Sequence, residues 1–477
     1  MLFDDIIAEF LALAEVPRPS FFTERVQAYL LDFAKVNGLE AEADRAGNVR
    51  ILKTASAGRE NEPILVLQAH TDMVAEKVDG VEFDFRSSPL KLVNNGSQLK
   101  ADGTTLGADN GIGVAAILAV LRSKSLSHPA IEALFTANEE VGMLGAFALE
   151  PDFLCGKSFI NLDSEEEGKL FVSCAGGATV KGTVPFERAV SDVEMTDFKI
   201  SVSGLKGGHS GLDIHLPHAN AIKVLSSFLM MLKTQMDGLN VKVLEGGSAA
   251  NAIPRNASVV LSVAEEDKAL FEKVFADLAN FLKAKYSGIE PDFKIEKSIV
   301  TNDAKFIEDD ALFRLLNVLL ALPDGVLYKL DGQDTTDTSN NVSLITTRED
   351  CVEVTSLCRS ITESRMKEVK ERVLGVLRIA GADIAVEDEY CGWQPDMDSP
   401  LLAKCRRVYS NTFGCDAKVE AMHAGLECGI IKSRCRDLDM VSFGPTIRYP
   451  HSPNEYVELE SVKRFGVFLE KLLEDKG

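Results

Sequence analysis

The sequence predicts an α/β protein with a second, α+β domain inserted into it, and three observations lead there. The first ~180 residues alternate strand-like and helix-like patterns, as an α/β layer does. Near Phe186 the texture changes to amphipathic strands and long helices, and the last ~90 residues return to strand and helix. The expected division is therefore 1–185 for the first part of one domain, 186–389 for the insertion and 390–477 for the second part.

Each element has a local reason. Ile6, Phe10 and Leu13, then Val26, Leu30 and Phe33, recur at helical spacing and predict two opening helices, the second stopping near Gly38. Apolar runs at 64–67, 131–135 and 159–162 predict strands leading to His70, Glu139 and Asp163. Residues 111–121 read as a buried helix starting just after Asp109. In the insertion, helices are expected at 219–235 and 267–285, and a strand-helix-strand pattern at 351–357, 363–380 and 382–386 closes it. A helix at 459–473 ends the chain; His451 precedes it, so this tail should fold back onto the first domain.

Composition sets the function classes. A chain of 477 residues implies two or three domains. With 45% apolar and 26% charged residues it reads as a globular enzyme, and no apolar stretch approaches the length of a membrane span. A net charge of −22 repels phosphate backbones and anionic lipid, so neither nucleic acid nor membrane is an expected partner. The start, Met1-Leu2-Phe3-Asp4-Asp5, is acidic where a secretory signal carries basic residues, and a cytoplasmic location is expected. The 9 cysteines include no Cys-x-x-Cys pair and read as reduced thiols, mostly core filler.

The residues that carry chemistry follow the predicted strands. His70 and Asp72 are two apart on an extended segment, so both can face one side, the carboxylate orienting an imidazole that binds metal. A loop histidine beside a helix-capping aspartate gives the same pattern. Asp109 can likewise cap a helix or bridge two metal ions. The glycines around it lack the Gly-Lys-Ser/Thr and the second-strand acid of a nucleotide site. Glu139-Glu140 places two carboxylates directly after an apolar strand, where their repulsion calls for a cation or a shared proton. One can ligate a metal while the other acts as base. Asp163 ends a strand at the edge where open α/β sheets bind ligands, whereas Glu165-Glu166-Glu167 reads as a solvated turn.

Taken in order, these residues resemble the di-zinc peptidase and deacylase superfamily that includes the carnosinases and acetylornithine deacetylases. The strings Val16-Pro17-Arg18-Pro19-Ser20, Gln68-Ala69-His70-Thr71-Asp72-Met73-Val74, the run from Ala101 to Gly111, and His423-Ala424-Gly425-Leu426-Glu427-Cys428-Gly429 are similar to one branch of it, the bacterial aminoacyl-histidine (Xaa-His) dipeptidases. The resemblance implies a zinc-peptidase catalytic domain with a mixed central sheet flanked by helices, plus an inserted lid domain. It implies two zinc ions per chain, with manganese or cobalt as substitutes. One zinc would be held by His70 and Asp163, the other by Glu140 and His451, with Asp109 bridging, Glu139 as general base and Asp72 supporting His70. Dipeptides, Xaa-His among them, would be hydrolysed by a water that the zinc ions activate, in a protein expected to be a homodimer.

In the insertion, His209 in Gly207-Gly208-His209-Ser210-Gly211 resembles a lid histidine that donates to the reacting oxygen. Asn251, Arg255 and Arg359 would clamp the substrate, Arg359 its carboxylate, since a guanidinium fork binds a carboxylate through two hydrogen bonds. Glu427 or Asp102 would take the substrate amino group. No Gly-x-Ser-x-Gly elbow supports a serine hydrolase. The chain departs from the family pattern at Ala75-Glu76-Lys77 and at Ala250, which bears on substrate preference and leaves the ligand set intact. The alternatives are an N-acyl amino acid deacylase with the same ligands and a non-catalytic peptide-binding protein.

Overall fold

The computed structural model describes residues 2–236 and 239–476. It divides into two compact units, the first made of Met1–Cys174, Trp393–Met422 and Leu426–Gly477, the second of Ala175–Gly392 and His423–Gly425. The expected boundary at 186 falls one strand later than this division. Gly176–Pro185 is hydrogen-bonded along its length to Cys351–Ser360, and so joins the sheet of the second unit.

Among the described residues, the first unit is built on an eight-stranded mixed sheet. Its order is Glu40–Ala43, Val49–Lys53, Ile131–Thr136, Leu65–His70, Ser158–Asn161, Asp439–Ser442, Lys169–Cys174 and Lys418–Met422. Leu65–His70 runs parallel to both neighbours, Ile131–Thr136 and Ser158–Asn161, so their three C-terminal ends share one edge. Both faces of Leu65–His70 and Ile131–Thr136 are buried, which is why their sequences run apolar without alternation.

The helix Ala108–Arg122 is buried on every side from Ala108 to Leu121 and packs on Leu65–His70 and on the first helix, Leu2–Ala14. The second helix, Glu24–Asn37, ends at Gly38 in the left-handed conformation expected of a glycine stop. The tail adds the hairpin Ile447–Arg448 and Tyr456–Glu458, which joins Gln98–Ala101 in a small sheet and carries His451 in its turn. The last helix, Leu459–Glu474, is held at its end by the buried Arg59, whose guanidinium donates to the carbonyls of Leu473 and Asp475 at 3.0 and 3.1 Å. A cation there also complements the negative end of the helix dipole.

The second unit is a nine-stranded antiparallel sheet with the helices Ala221–Lys233, Lys268–Tyr286, Asp309–Ala321 and Glu363–Ile379, among the described residues. The Asn220 side chain caps the first of these by accepting from the amides of Ile222 and Lys223. Among its elements without a placed sequence expectation are the helix Asp309–Ala321 and the strand Thr336–Thr347. That strand is polar by composition yet buried from Thr336 to Ser343, because its side chains bond one another and their neighbours, as Thr338 does with Ser360 at 2.9 Å.

None of the cysteines forms a disulfide, but only Cys174, Cys358, Cys405 and Cys428 are buried, so the expectation of thiols mostly filling the core is corrected. Among the described residues, no helix is long and apolar enough to cross a membrane.

Candidate metal centre

The shared strand edge of the first unit collects the predicted ligands. His70 is the last residue of its strand, Glu139 and Glu140 follow Ile131–Thr136, and Asp163 lies just beyond Ser158–Asn161. Asp109 enters from the start of the buried helix and His451 from the tail hairpin. The two oxygens of Asp109 face different histidines: Oδ1 lies 3.1 Å from His70 Nε2, and Oδ2 lies 3.1 Å from His451 Nε2. His70 Nε2 is also 3.3 Å from Asp163 Oδ1, and His451 Nε2 is 3.0 Å from Glu140 Oε2. Asp109 therefore links two histidine–carboxylate pairs. Donor atoms of His70, Asp109 and Glu140 all lie within 4.8 Å of one another, close enough to surround a cation.

Charge crowding dominates the electrostatics. Burial, reinforced by the neighbouring acids, holds Glu139 well above the usual carboxylate range and raises Glu140 and Asp163. Burial opposes ionisation of Asp109 too, yet the hydrogen bonds with His451 and His70 keep it below that range. Burial works against the imidazolium of His451, but its bonds to Asp109 and Glu140 prevail and push it up to about 11. His70 is raised well above its ordinary value: Asp163, Asp109 and Asp72 outweigh its burial. Imidazole nitrogens with carboxylate oxygens are a donor set that zinc and similar divalent ions accept. The buried Glu140 Oε1 has no hydrogen-bond partner among the described residues, as expected of a ligand-side oxygen. The residues fit a metal centre.

Asp72 supports this cluster from behind. Its carboxylate lies 3.6 Å from His70 Nδ1, accepts from the Glu139 and Glu140 amides at 2.9 and 3.2 Å, and accepts from Ser20 Oγ at 2.8 Å. One side chain thus orients a histidine and the backbone of the glutamate pair.

The fold decides two local alternatives that the sequence left open. Asp109 does not cap its helix; the amides of Leu106, Gly107, Ala108 and Asp109 are taken by Glu455, a residue without a sequence expectation whose carboxyl burial pushes up to about 7. Glu165 to Glu167 fit a solvated turn only at Glu166, whose side chain is 46% exposed. Glu167 accepts from Tyr409 at 2.8 Å and pairs with Arg464 at 3.0 Å, while burial and the charge of Asp109 raise Glu165 well above the carboxylate range. Glu427 is fully buried; its Oε2 accepts from Gln68 and Thr136 at 2.7 and 2.6 Å, and its Oε1 has no hydrogen-bond partner among the described residues. Asp102 sits on an exposed turn after Gln98–Ala101.

The remaining predicted residues lie in the second unit. His209 stands on a short strand paired with Ala252–Ile253, and its Nδ1 accepts from the amides of Gly211 and Leu212 at 3.2 and 3.0 Å. With Nδ1 accepting, a neutral His209 carries its proton on Nε2 as a donor. Asn251 and Arg255 are exposed, Arg255 donating to the Leu205 carbonyl at 3.2 Å. Arg359 is buried and donates to Tyr390 Oη at 3.1 Å, while its Nε has no partner among the described residues. His423 bonds Ser339 Oγ at 2.8 Å; its burial and the charge of Arg359 lower it to about 3.

The comparisons with known proteins agree with this geometry. The model of peptidase family M20/M25/M40 matches residues 66–475, and the chain belongs to that family. It is 38% identical over 470 residues to the cytosol non-specific dipeptidase of Escherichia coli strain K12, covering 98% of this chain and 96% of that protein. Its fold matches the crystal structure of aminoacylhistidine dipeptidase from Vibrio alginolyticus with a TM-score of 0.86 at 39% identity, over 98% and 96% of the two chains. A tripeptidase of Staphylococcus aureus shares the fold at a TM-score of 0.58 and 16% identity, over 99% and 98% of the chains.

Two outcomes follow from the raised and lowered histidines. Divalent ions should release protons on binding at neutral pH, because His70 and His451 hold protons that a ligand must lose. Calorimetry in buffers of different ionisation enthalpy measures this; an affinity flat between pH 6 and 8 would contradict it. His423 is depressed in the folded state, so its contribution to stability is complete above its ordinary value of 6.5 and is lost as pH falls toward about 3. Between pH 7 and pH 5 this histidine should cost about 2 kcal/mol of unfolding free energy. In urea titrations with chelator present, His423→Gln should lack that loss.

Proposed function

We propose that this M20/M25/M40 peptidase hydrolyses unblocked dipeptides, Xaa-His among them, at a centre of two divalent ions, zinc by preference with manganese or cobalt as substitutes. The observation that carries the reading is Asp109, whose two oxygens each face a separate histidine–carboxylate pair. In this reading His70 and Asp163 would hold one ion and Glu140 and His451 the other, with Asp109 serving both. Ions so held supply Lewis acidity that polarises a scissile carbonyl and acidifies water.

The chain's own residues do the rest. Glu139, kept high by its burial, takes the proton of the attacking water and passes it to the leaving amine; a raised carboxylate suits that double duty near neutral pH. Asp72 keeps His70 and the glutamate pair in register. His209 Nε2–H is assigned to the developing oxyanion and Arg359 to the substrate carboxylate through its open guanidinium edge, with Asn251 and Arg255 as further polar contacts. A cytoplasmic site of action and a homodimeric assembly complete the proposal. The cytosolic relative supports the first, and the family resemblance the second.

Purified protein, stripped with chelator and reloaded, should cleave Xaa-His and other dipeptides and leave N-acetyl amino acids intact. Cleavage of acyl substrates without any dipeptide would replace this reading by a deacylase. Glu139→Gln should lower kcat roughly 10²–10⁴-fold at unchanged metal content; near-normal turnover would remove Glu139 as the base.

A further inference from the structure

Two buried ionic side chains in the first unit have no part in the roles above. Glu455 is 2% exposed, and its oxygens accept from the consecutive amides of Leu106, Gly107, Ala108 and Asp109 at 2.8, 2.8, 2.7 and 3.3 Å. Arg18 is also 2% exposed; its Nη1 donates to the carbonyls of Thr71 and Asp72, both at 3.1 Å, and its Nη2 to the carbonyl of Gly107. One guanidinium thus ties the segment that follows His70 to the segment that precedes Asp109. From the hairpin that carries His451, Glu455 grips the amides of that same second segment. The two charges hold opposite polarities of one backbone turn, amides on one side and a carbonyl on the other.

The surrounding sequence makes room for this arrangement. A Cβ at Gly107 would lie 2.6 Å from Arg18 Nη2, and one at Gly111 would lie 2.5 Å from it. Gly107 also has φ +63°, a conformation that glycine adopts without penalty. Burying a guanidinium and a carboxylate is costly, Arg18 Nε has no hydrogen-bond partner among the described residues, and a plain turn next to a buried helix does not need either charge. The region between His70 and Asp109 is where such a cost has a return, since misplacing a ligand by a fraction of an ångström weakens a metal site.

We propose that Arg18 and Glu455 are positioning residues, a brace that sets His70, Asp109 and His451 at the spacing a divalent ion requires. The proposal rests on the reading of the donor cluster as a metal centre. It is tested on the full-length protein with Glu455→Gln, Arg18→Lys and a control, Arg59→Lys, in which an equally buried arginine holds helix carbonyls away from the ligands. Zinc affinity is read by competition with a chromophoric chelator, geometry by the visible spectrum of the cobalt(II) form, and folding by thermal unfolding of the stripped protein.

The brace variants should bind zinc roughly 10–100-fold more weakly with a shifted cobalt spectrum, while Arg59→Lys loses thermal stability and binds as the parent does. A loss below tenfold in every brace variant that folds, an equal loss in Arg59→Lys, or failure of both brace variants to fold would overturn the proposal. If the parent itself binds no divalent ion, the metal-centre reading falls and the brace with it; parent binding with unaffected variants removes the brace alone.

Discussion

The repulsion among buried carboxylates at one sheet edge is the constraint from which the first unit follows. Asp72, Asp109, Glu139, Glu140 and Asp163 converge with only two imidazoles facing them. In a low-dielectric setting such a group is tolerable only when protons or cations offset it. The shifts divide accordingly. Asp109, between two histidines, is stabilised as an anion, whereas Glu139, Glu140 and Asp163 are raised by burial and by their neighbours. A site so built favours a divalent cation.

Crowding of this kind needs a rigid frame. Parallel pairing of three strands fixes where His70, the glutamate pair and Asp163 emerge, because the strand ends lie in register. Hydrogen bonds then set the loops: Asp72 bonds the amides of Glu139 and Glu140, Asn110 donates to the Leu162 carbonyl and to Asp163, and Glu455 takes the amides before Asp109. Each of these polar side chains bonds the backbone of a loop that carries a candidate ligand, so the frame and the chemistry draw on the same side chains.

The second unit solves a different problem with different means. Its sheet carries a polar, buried strand whose hydroxyl and amide groups bond internally, and His423, Ser339, Arg359 and Tyr390 gather there. The neutral state of His423 beside a buried guanidinium avoids placing two cations together. His209, with Nδ1 engaged by backbone amides, presents a fixed donor.

Periodicity, apolar runs and the order of the ligand types were legible in the sequence, since each depends on neighbours within a few residues. They placed the opening helices, the three strands, and His70, Asp109, Glu140, Asp163 and His451 at element ends. Helix ends moved by a residue or two, as at Ala221–Lys233, where Asn220 takes the cap. The polar strand Thr336–Thr347 was not legible, because burial of serine and threonine is decided by partners far along the chain. The same reason hid Glu455, which meets its amides across nearly 350 residues, and the bonds from Gln68 and Thr136 to Glu427, which no local pattern records. Residue types and their order mark the side chains whose chemistry suits a metal or a proton. Only the tertiary structure decided which of them are buried, which share a donor and which are held from behind, because those depend on contacts made after the chain has folded back on itself.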